Sequence, residues 1–179
     1  MSYTITIVRF DASMLHLLPQ PQEEFDIIGR LVPKYDGRDW SVSEELLDTP
    51  LKKTYPDDVF DPNIYVDNPN EAAFLAMHNG HRVGSVRVGR HWNKNAFIDD
   101  LVVDGAHRGR GVGTMLMDAA AKWGKENGFH GVSLETQDNN LLACRFYMKY
   151  GFKLGGIDRH SYDAFPNRDE TALYFYLLP

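Results

Sequence analysis

Residues 3–9 carry Thr and Ile in turn before reaching Val8, the period of a half-buried strand. The alternation then stops. The run LPQPQEEFDIIGRLVPKYDGRDWSVSEEL is rich in acids and broken by Pro19, Pro21 and Pro33. It predicts short helices joined by turns, one starting near Ser43 with Glu44 and Glu45 in its first turn. Residues 72–77 and 82–88 read as the two strands of a hairpin, with Asn79-Gly80 as its turn. From there the period is clearer. Residues 95–103 (NAFIDDLVV) form a strand, and residues 112–127 a helix with Leu116, Ala119, Ala120 and Trp123 at helical spacing and Gly128 past its end. Residues 131–136 form a strand, and residues 140–150 a helix with Ala143, Phe146, Tyr147 and Tyr150 on one stripe. Gly151 stops that helix and Phe152 is the apolar residue beyond it. Two strands, near 153–162 and 171–178, close the chain. Strands alternate with helices centrally and follow one another at the ends, so the fold class expected is a mixed α/β sheet of α+β type.

Composition narrows this. The 179 residues, 43% hydrophobic and 25% charged, suit one globular domain and exclude a disordered scaffold. Cys144 is the single cysteine, which excludes an internal disulfide and a cysteine metal site. Its place in a helical stripe reads as inert packing. His78 and His81 span the hairpin turn without helical i, i+4 spacing, so no metal site is expected. Trp123 reads as core; Trp40 and Trp92 stay open between core and cleft. The first residues lack a basic segment leading into an apolar one, and no run approaches the roughly 20 apolar residues of a membrane span. The expectation is a soluble cytoplasmic protein, monomer or homodimer, without membrane or nucleic-acid partners. A net charge of −6 disfavours nucleic acid and suits a cationic small molecule. Residues 54–81 contain no Lys or Arg but carry Asp57, Asp58, Asp61, Asp67 and Glu71. This reads first as a solvated acidic loop, and second as a lure for a cation.

The strongest local signal is Arg108-Gly109-Arg110-Gly111-Val112-Gly113-Thr114, between a strand and a helix. Glycines let backbone N–H groups approach an anion, the helix dipole favours negative charge there, and two arginines add charge-assisted donors. A diphosphate is the natural ligand. A Walker loop would need a lysine where Thr114 stands. A dinucleotide turn would need other glycine spacing, although Glu135 imitates its ribose-binding acid. An NAD site is therefore a weaker alternative.

Leu101-x-Val103 followed by Arg108-Gly109-Arg110-Gly111-Val112-Gly113 resembles the acetyl-CoA pyrophosphate motif of the GNAT N-acetyltransferase superfamily. Asn140, Ala143, Tyr147 and Gly151-Phe152 match its second motif. The runs HWNKNAFIDDLVV, LETQDNNLLACRFYMKYGFKLGG and SYDAF, with the earlier proline-rich run, more narrowly resemble streptothricin N-acetyltransferases, which acetylate the β-lysine amine of an antibiotic. The resemblance implies one acetyltransferase domain over 1–179, with an acceptor-side half (1–94), the acetyl-CoA motifs (95–152) and closing strands (153–179). It implies acetyl-CoA as co-substrate, held by Leu101, Val102, Val103, residues 108–114, Asn140 and Tyr147. Tyr147 matches the general acid for the thiolate, and the 101–103 backbone the oxyanion donor. A cationic acceptor also calls for carboxylates that bind an ammonium and take its proton. Asp100 is the first choice of base and Asp99 the second, placed on opposite faces by strand alternation. Glu135 is the candidate for a second amine. Other acceptors (an aminoglycoside, a polyamine, a protein lysine) and a non-catalytic acetyl-CoA-binding module remain alternatives.

Overall fold

The structure is a computed structural model describing residues 3–18 and 20–179. Met1, Ser2 and Pro19, which entered the reading of the first residues and of the proline-rich run, lie outside the described residues. The chain divides into two compact units, residues 1–23 with 56–132 and residues 24–55 with 133–178, while Pro179 groups with the first. The units interleave along the sequence.

The first unit is built on antiparallel strands β1 (Thr6–Arg9), β4 (Glu71–His78), β5 (His81–Arg90) and β6 (Ala96–Val103), adjacent in that order. The β4–β5 turn places Asn79 at φ 50° and Gly80 at φ 81°, the left-handed pair that a two-residue hairpin turn demands. Helix α1 (Val112–Glu126) buries Val112, Leu116, Met117, Ala120, Trp123 and Gly124. Contact is close: a Cβ on Gly84 would lie 3.2 Å from Leu116 Cδ1, and one on Gly124 2.9 Å from Ala96 Cβ. The core stripe thus includes Gly124, and Ala119 sits only at its edge. A second apolar cluster of Phe10, Leu18, Tyr65, Ala73 and Leu75 gathers the short 3₁₀ turns at Ala12–Leu17 and Pro62–Tyr65.

The second unit overturns one expectation. Among its described residues the proline-rich run holds no helices but a long hairpin, β2 (Phe25–Tyr35) and β3 (Trp40–Lys53). Both strands are edges of a two-stranded ribbon, so Pro33, opposite Val42, removes no obligatory ladder bond. The turn is made by Asp36, whose carboxylate accepts from the N–H groups of Arg38 (2.9 Å) and Asp39 (2.8 Å), with Gly37 at φ 99°. Glu44 and Glu45, expected in a helix, lie on β3, and Glu44 takes both arms of Arg145 at 2.8 and 2.5 Å. Asp-Gly between two β-rich runs was the available hairpin signal.

The remaining strands are β7 (Val132–Gln137), β8 (Lys153–Asp158) and β9 (Ala172–Leu177), with β9 between β7 and β8. Helix α2 (Leu141–Tyr150) buries Leu141, Cys144 and Tyr147, so its inner stripe runs through Cys144 while Ala143, Phe146 and Tyr150 flank it. Asn140 caps the helix and Gly151 ends it at φ 121°. Glu170, buried, ties the ribbon's end to β9 through Lys53, Tyr55 (2.7 Å), Asn139 (2.8 Å) and Asn167 (2.9 Å).

Candidate active site

The glycine-rich turn sits where the sequence places it. Gly109 and Gly111 adopt φ 71° and 82°, a region costly to side-chain-bearing residues. Gly111 is the N-cap of α1 and offers no side-chain cap, and the first helical bond is Met115 N–H to the Gly111 carbonyl at 3.1 Å. Helix geometry therefore leaves the N–H groups of Val112, Gly113 and Thr114 without intrahelical acceptors. By contrast, α2 closes its own end: the Asn140 side chain accepts from Ala143 N–H at 3.4 Å. No atom comes within 4 Å of a Cβ built on Gly109 or Gly111, so the mouth of α1 is open space.

The two arginines are arranged unequally. Arg108 donates from Nε to the Val103 carbonyl (2.8 Å) and pairs with Glu23 (3.0 Å), which also accepts from Gly105 N–H (2.9 Å). It fixes the loop between β6 and α1. Arg110 lies over the Tyr3 ring, 4.7 Å from its centroid.

Strand β6 carries the other half of this unit's chemistry. Its register against β5 slips once: Arg87 opposes Asp100 and Val88 opposes Ile98, leaving Asp99 as the extra residue of a β-bulge. Directly opposed residues share a face, so Asp100 faces with Arg87 and Phe97 with Gly89. Asp99, two residues from Phe97, joins them. The expectation that Asp99 and Asp100 point to opposite faces is corrected: the bulge resets the alternation and brings both to one face.

They do not meet the same environment. Asp100 lines a pocket of about 20 Å³ with Arg82, Ser85, Arg87 and Val102. Its carboxylate lies 3.6 Å from buried Arg87, which also holds Asp58 at 2.5 Å and stacks over the Phe60 ring at 4.0 Å. Burial raises the Asp100 pKa, opposed by Arg87. Asp99 opens into a cleft of about 440 Å³ lined also by Asp58, Tyr65, Glu71, Gly89, His91 and Phe97. The walls withdraw water and push its carboxyl up to about 6, with Asp100 and Asp58 adding repulsion and Arg87 opposing it. Glu71 is pushed up to about 7, by burial and then by Asp99. His91 stacks on Phe97 at 4.8 Å, and its Nδ1 is buried without a partner among the described residues.

Asp58 and Glu71 are the residues the acidic run had suggested only as a second reading. Asp61 is a turn cap and Asp57 accepts from Gln22 N–H at 2.7 Å, as loop residues do. What singles out Asp58 is its ion pair with Arg87, and what singles out Glu71 is its register opposite Gly89, neither of which a list of acids contains.

In the second unit, Tyr147 is buried among Phe146, Phe152 and Phe175, with ring centroids 5.4, 5.9 and 6.2 Å away. Glu135 accepts from the Tyr162 hydroxyl, and burial raises its pKa against that bond. Cys144 is buried and its thiol pushed up to about 12, which suits packing and not nucleophilic attack. Trp123 is core, Trp92 is 87% exposed, and Trp40 lies against Tyr35 at 5.0 Å.

Comparison with known proteins agrees with this geometry. Residues 39–152 match the acetyltransferase (GNAT) family. Streptothricin acetyltransferase A of Bacillus subtilis (strain 168) is 39% identical over 157 residues, 88% of this chain and 90% of that protein. A streptothricin acetyltransferase of Escherichia coli is 38% identical over 131 residues, 72% of this chain and 71% of that one. A crystal structure from Bacillus anthracis str. Ames, assigned as a streptothricin acetyltransferase in complex with acetyl coenzyme A, superposes with TM-score 0.88 at 32% identity over 98% of this chain and 99% of that one. The open glycine turn and uncapped α1 fit such a diphosphate-bearing cofactor, whose thioester supplies an activated acetyl group. With motifs, fold and relatives in agreement, this chain belongs to the GNAT family and is an acetyl-CoA-dependent N-acetyltransferase.

Proposed function

We propose that the acceptor is streptothricin, acetylated on a β-lysine amine and thereby inactivated, inside the cell where acetyl-CoA is available. The observation that carries this reading is the carboxylate-lined cleft on the face of β6, two residues before the 101–103 motif. Relatives of 39% and 38% identity bear the streptothricin acetyltransferase name.

The geometry supports these roles. The N–H groups of Val112, Gly113 and Thr114 hold the pyrophosphate, with Gly109, Arg110 and Gly111 shaping its bed and Arg108 bracing the loop. Leu101, Val102 and Val103 offer backbone groups to the pantetheine arm and the oxyanion, and Asn140 Nδ2 remains a donor while its oxygen caps α2. Asp99 takes the acceptor's proton. Asp100, chosen first on sequence, is held by Arg87 and ranks second here. Tyr147 gives a proton to the departing thiolate. Tyr162 occupies one oxygen of Glu135, which makes it a weaker ammonium ligand.

An ammonium with pKa near 10.4 costs about 4.6 kcal/mol to deprotonate at pH 7, so an ionised carboxylate in the cleft is the feature the reaction needs. The test is thiol release from acetyl-CoA across a panel of amines. Streptothricin should react at least about 100-fold more efficiently than aminoglycosides, polyamines or a lysine peptide. A faster rate with any of these reassigns the acceptor, and no turnover with the whole panel leaves a binding module.

A further inference from the structure

Glu71 and Gly89 face each other across β4 and β5. Gly89 does not have the positive φ that would make glycine necessary for its backbone. Its missing side chain matters for space. A Cβ on Gly89 would fall 2.0 Å from Glu71 Oε2, 2.7 Å from its Cδ and 2.9 Å from Oε1. The Glu71 carboxylate therefore lies over the bare backbone of β5, on the way toward β6 and into the cleft that Asp99 shares. Among the described residues no cation pairs with Glu71. Arg87, in the same cleft, is committed to Asp58 at 2.5 Å and lies 3.6 Å from Asp100. Neither Glu71 nor Asp99 forms an ion pair within 4 Å among the described residues; Arg87 and His91 act on Asp99 only from a distance, and Arg90 lines the same cleft without an ion pair to either.

We propose that Gly89 is a positioning residue that holds the Glu71 carboxylate in the acceptor cleft, where Glu71 takes the second ammonium group of a diamine while Asp99 faces the amine to be acetylated. This rests on the acceptor reading above and assigns the selection of a diamine over a monoamine to a glycine that touches no substrate. One ammonium on Glu71 offsets the repulsion between the two carboxylates, and its loss leaves that repulsion in place.

The test uses the full-length enzyme with streptothricin, with 3,6-diaminohexanamide, and with the monoamines 3-aminohexanamide and 6-aminohexanamide. Glu71→Gln and Gly89→Ala should each lower kcat/KM for streptothricin and the diamine about 10–100-fold, the size of one charge-assisted hydrogen bond. The loss should lie mainly in the acceptor KM, with much smaller changes for the monoamines and an acetyl-CoA KM within about twofold. Gly89→Ala displaces only the flexible end of Glu71, so the fold is expected to survive. The double variant should be no worse than Glu71→Gln alone, because Gly89 acts through Glu71. Additive losses, or an unchanged diamine preference in either variant, overturn the proposal while leaving the acceptor reading intact. A wild-type enzyme that turns over neither streptothricin nor the diamine overturns both.

Discussion

Tyr147 and the Asp99–Asp100 pair show how far one residue's role depends on its immediate contacts. The Tyr147 ring belongs to an aromatic cluster with Phe146, Phe152 and Phe175. Tyr147→Phe keeps that packing, so Tm should move little, and turnover should fall about 10²-fold if its proton reaches the leaving thiolate. A thiol pKa near 8.5 makes unaided departure affordable, which places the effect at the low end of general-acid contributions. Single-turnover rates check this, since they exclude product release; a wild-type rate returns Tyr147 to packing alone. The aspartates should separate by readout. Asp99→Asn should depress acceptor turnover with a defect that shrinks toward pH 9–10, where free amine becomes common. Asp100→Asn should leave the acceptor pH profile as in wild type, because Arg87 holds Asp100, and should not lower Tm at pH 8, because burial already raises the Asp100 carboxyl and Asn stands for its neutral form. Thermal melts and pH–rate profiles of the two variants decide between the assignments; the reverse pattern would restore Asp100 as base.

At the scale of elements, helix α1 and the β2–β3 ribbon differ in how much their sequences disclose. The glycine turn, the strand before it and the helix after it were all legible, because alternate glycines, two arginines and a helical apolar stripe each carry local information. Gly111→Val tests the turn. Valine at φ 82° is strained by about 1–3 kcal/mol and places a branched side chain over the open end of α1. Acetyl-CoA should then raise the melting temperature far less than it does for wild type; an undiminished shift would remove this helix end from the cofactor site. The ribbon was not legible. Its prolines argued against regular structure, and its outer strand is almost wholly exposed, so no apolar stripe marked it. What makes it a ribbon is a turn held by the Asp36 carboxylate and pairing across about ten residues, with Gly29 fitting where a Cβ would lie 2.3 Å from the Glu45 carbonyl.

For the whole molecule, the cleft sets activity against stability. The Asp99 carboxyl is raised from 3.8 to about 6 and that of Glu71 from 4.5 to about 7, in both cases chiefly by burial. Between the ordinary and raised values the folded protein binds more protons than the unfolded chain. Stability therefore falls as pH rises through about 4 to 7 from these two groups, and the penalty is fully present above pH 7. The Asp99→Asn/Glu71→Gln double variant should melt higher than wild type at pH 8, and the gap should narrow as pH falls toward 4.5. Thermal melts across that range measure it; a gap independent of pH would mean the two carboxyls are not raised by their cleft.

Sequence alone determined the local patterns of the proposed acetyl-CoA site. A glycine turn on a helix end, the asparagine and tyrosine of α2 and the core stripes are local patterns, and each physical requirement is met by residues adjacent in the chain. Tertiary structure decided the cleft proposed for the acceptor. Asp58, Glu71, Gly89 and Asp99 come from a loop and three strands, and they share one face only because β4, β5 and β6 pair in a particular register. The bulge at Asp99 then reverses the alternation that sequence spacing implies. A one-residue slip in a strand changes which face every later side chain occupies, and that slip is set by pairing between strands rather than by any residue's own propensity.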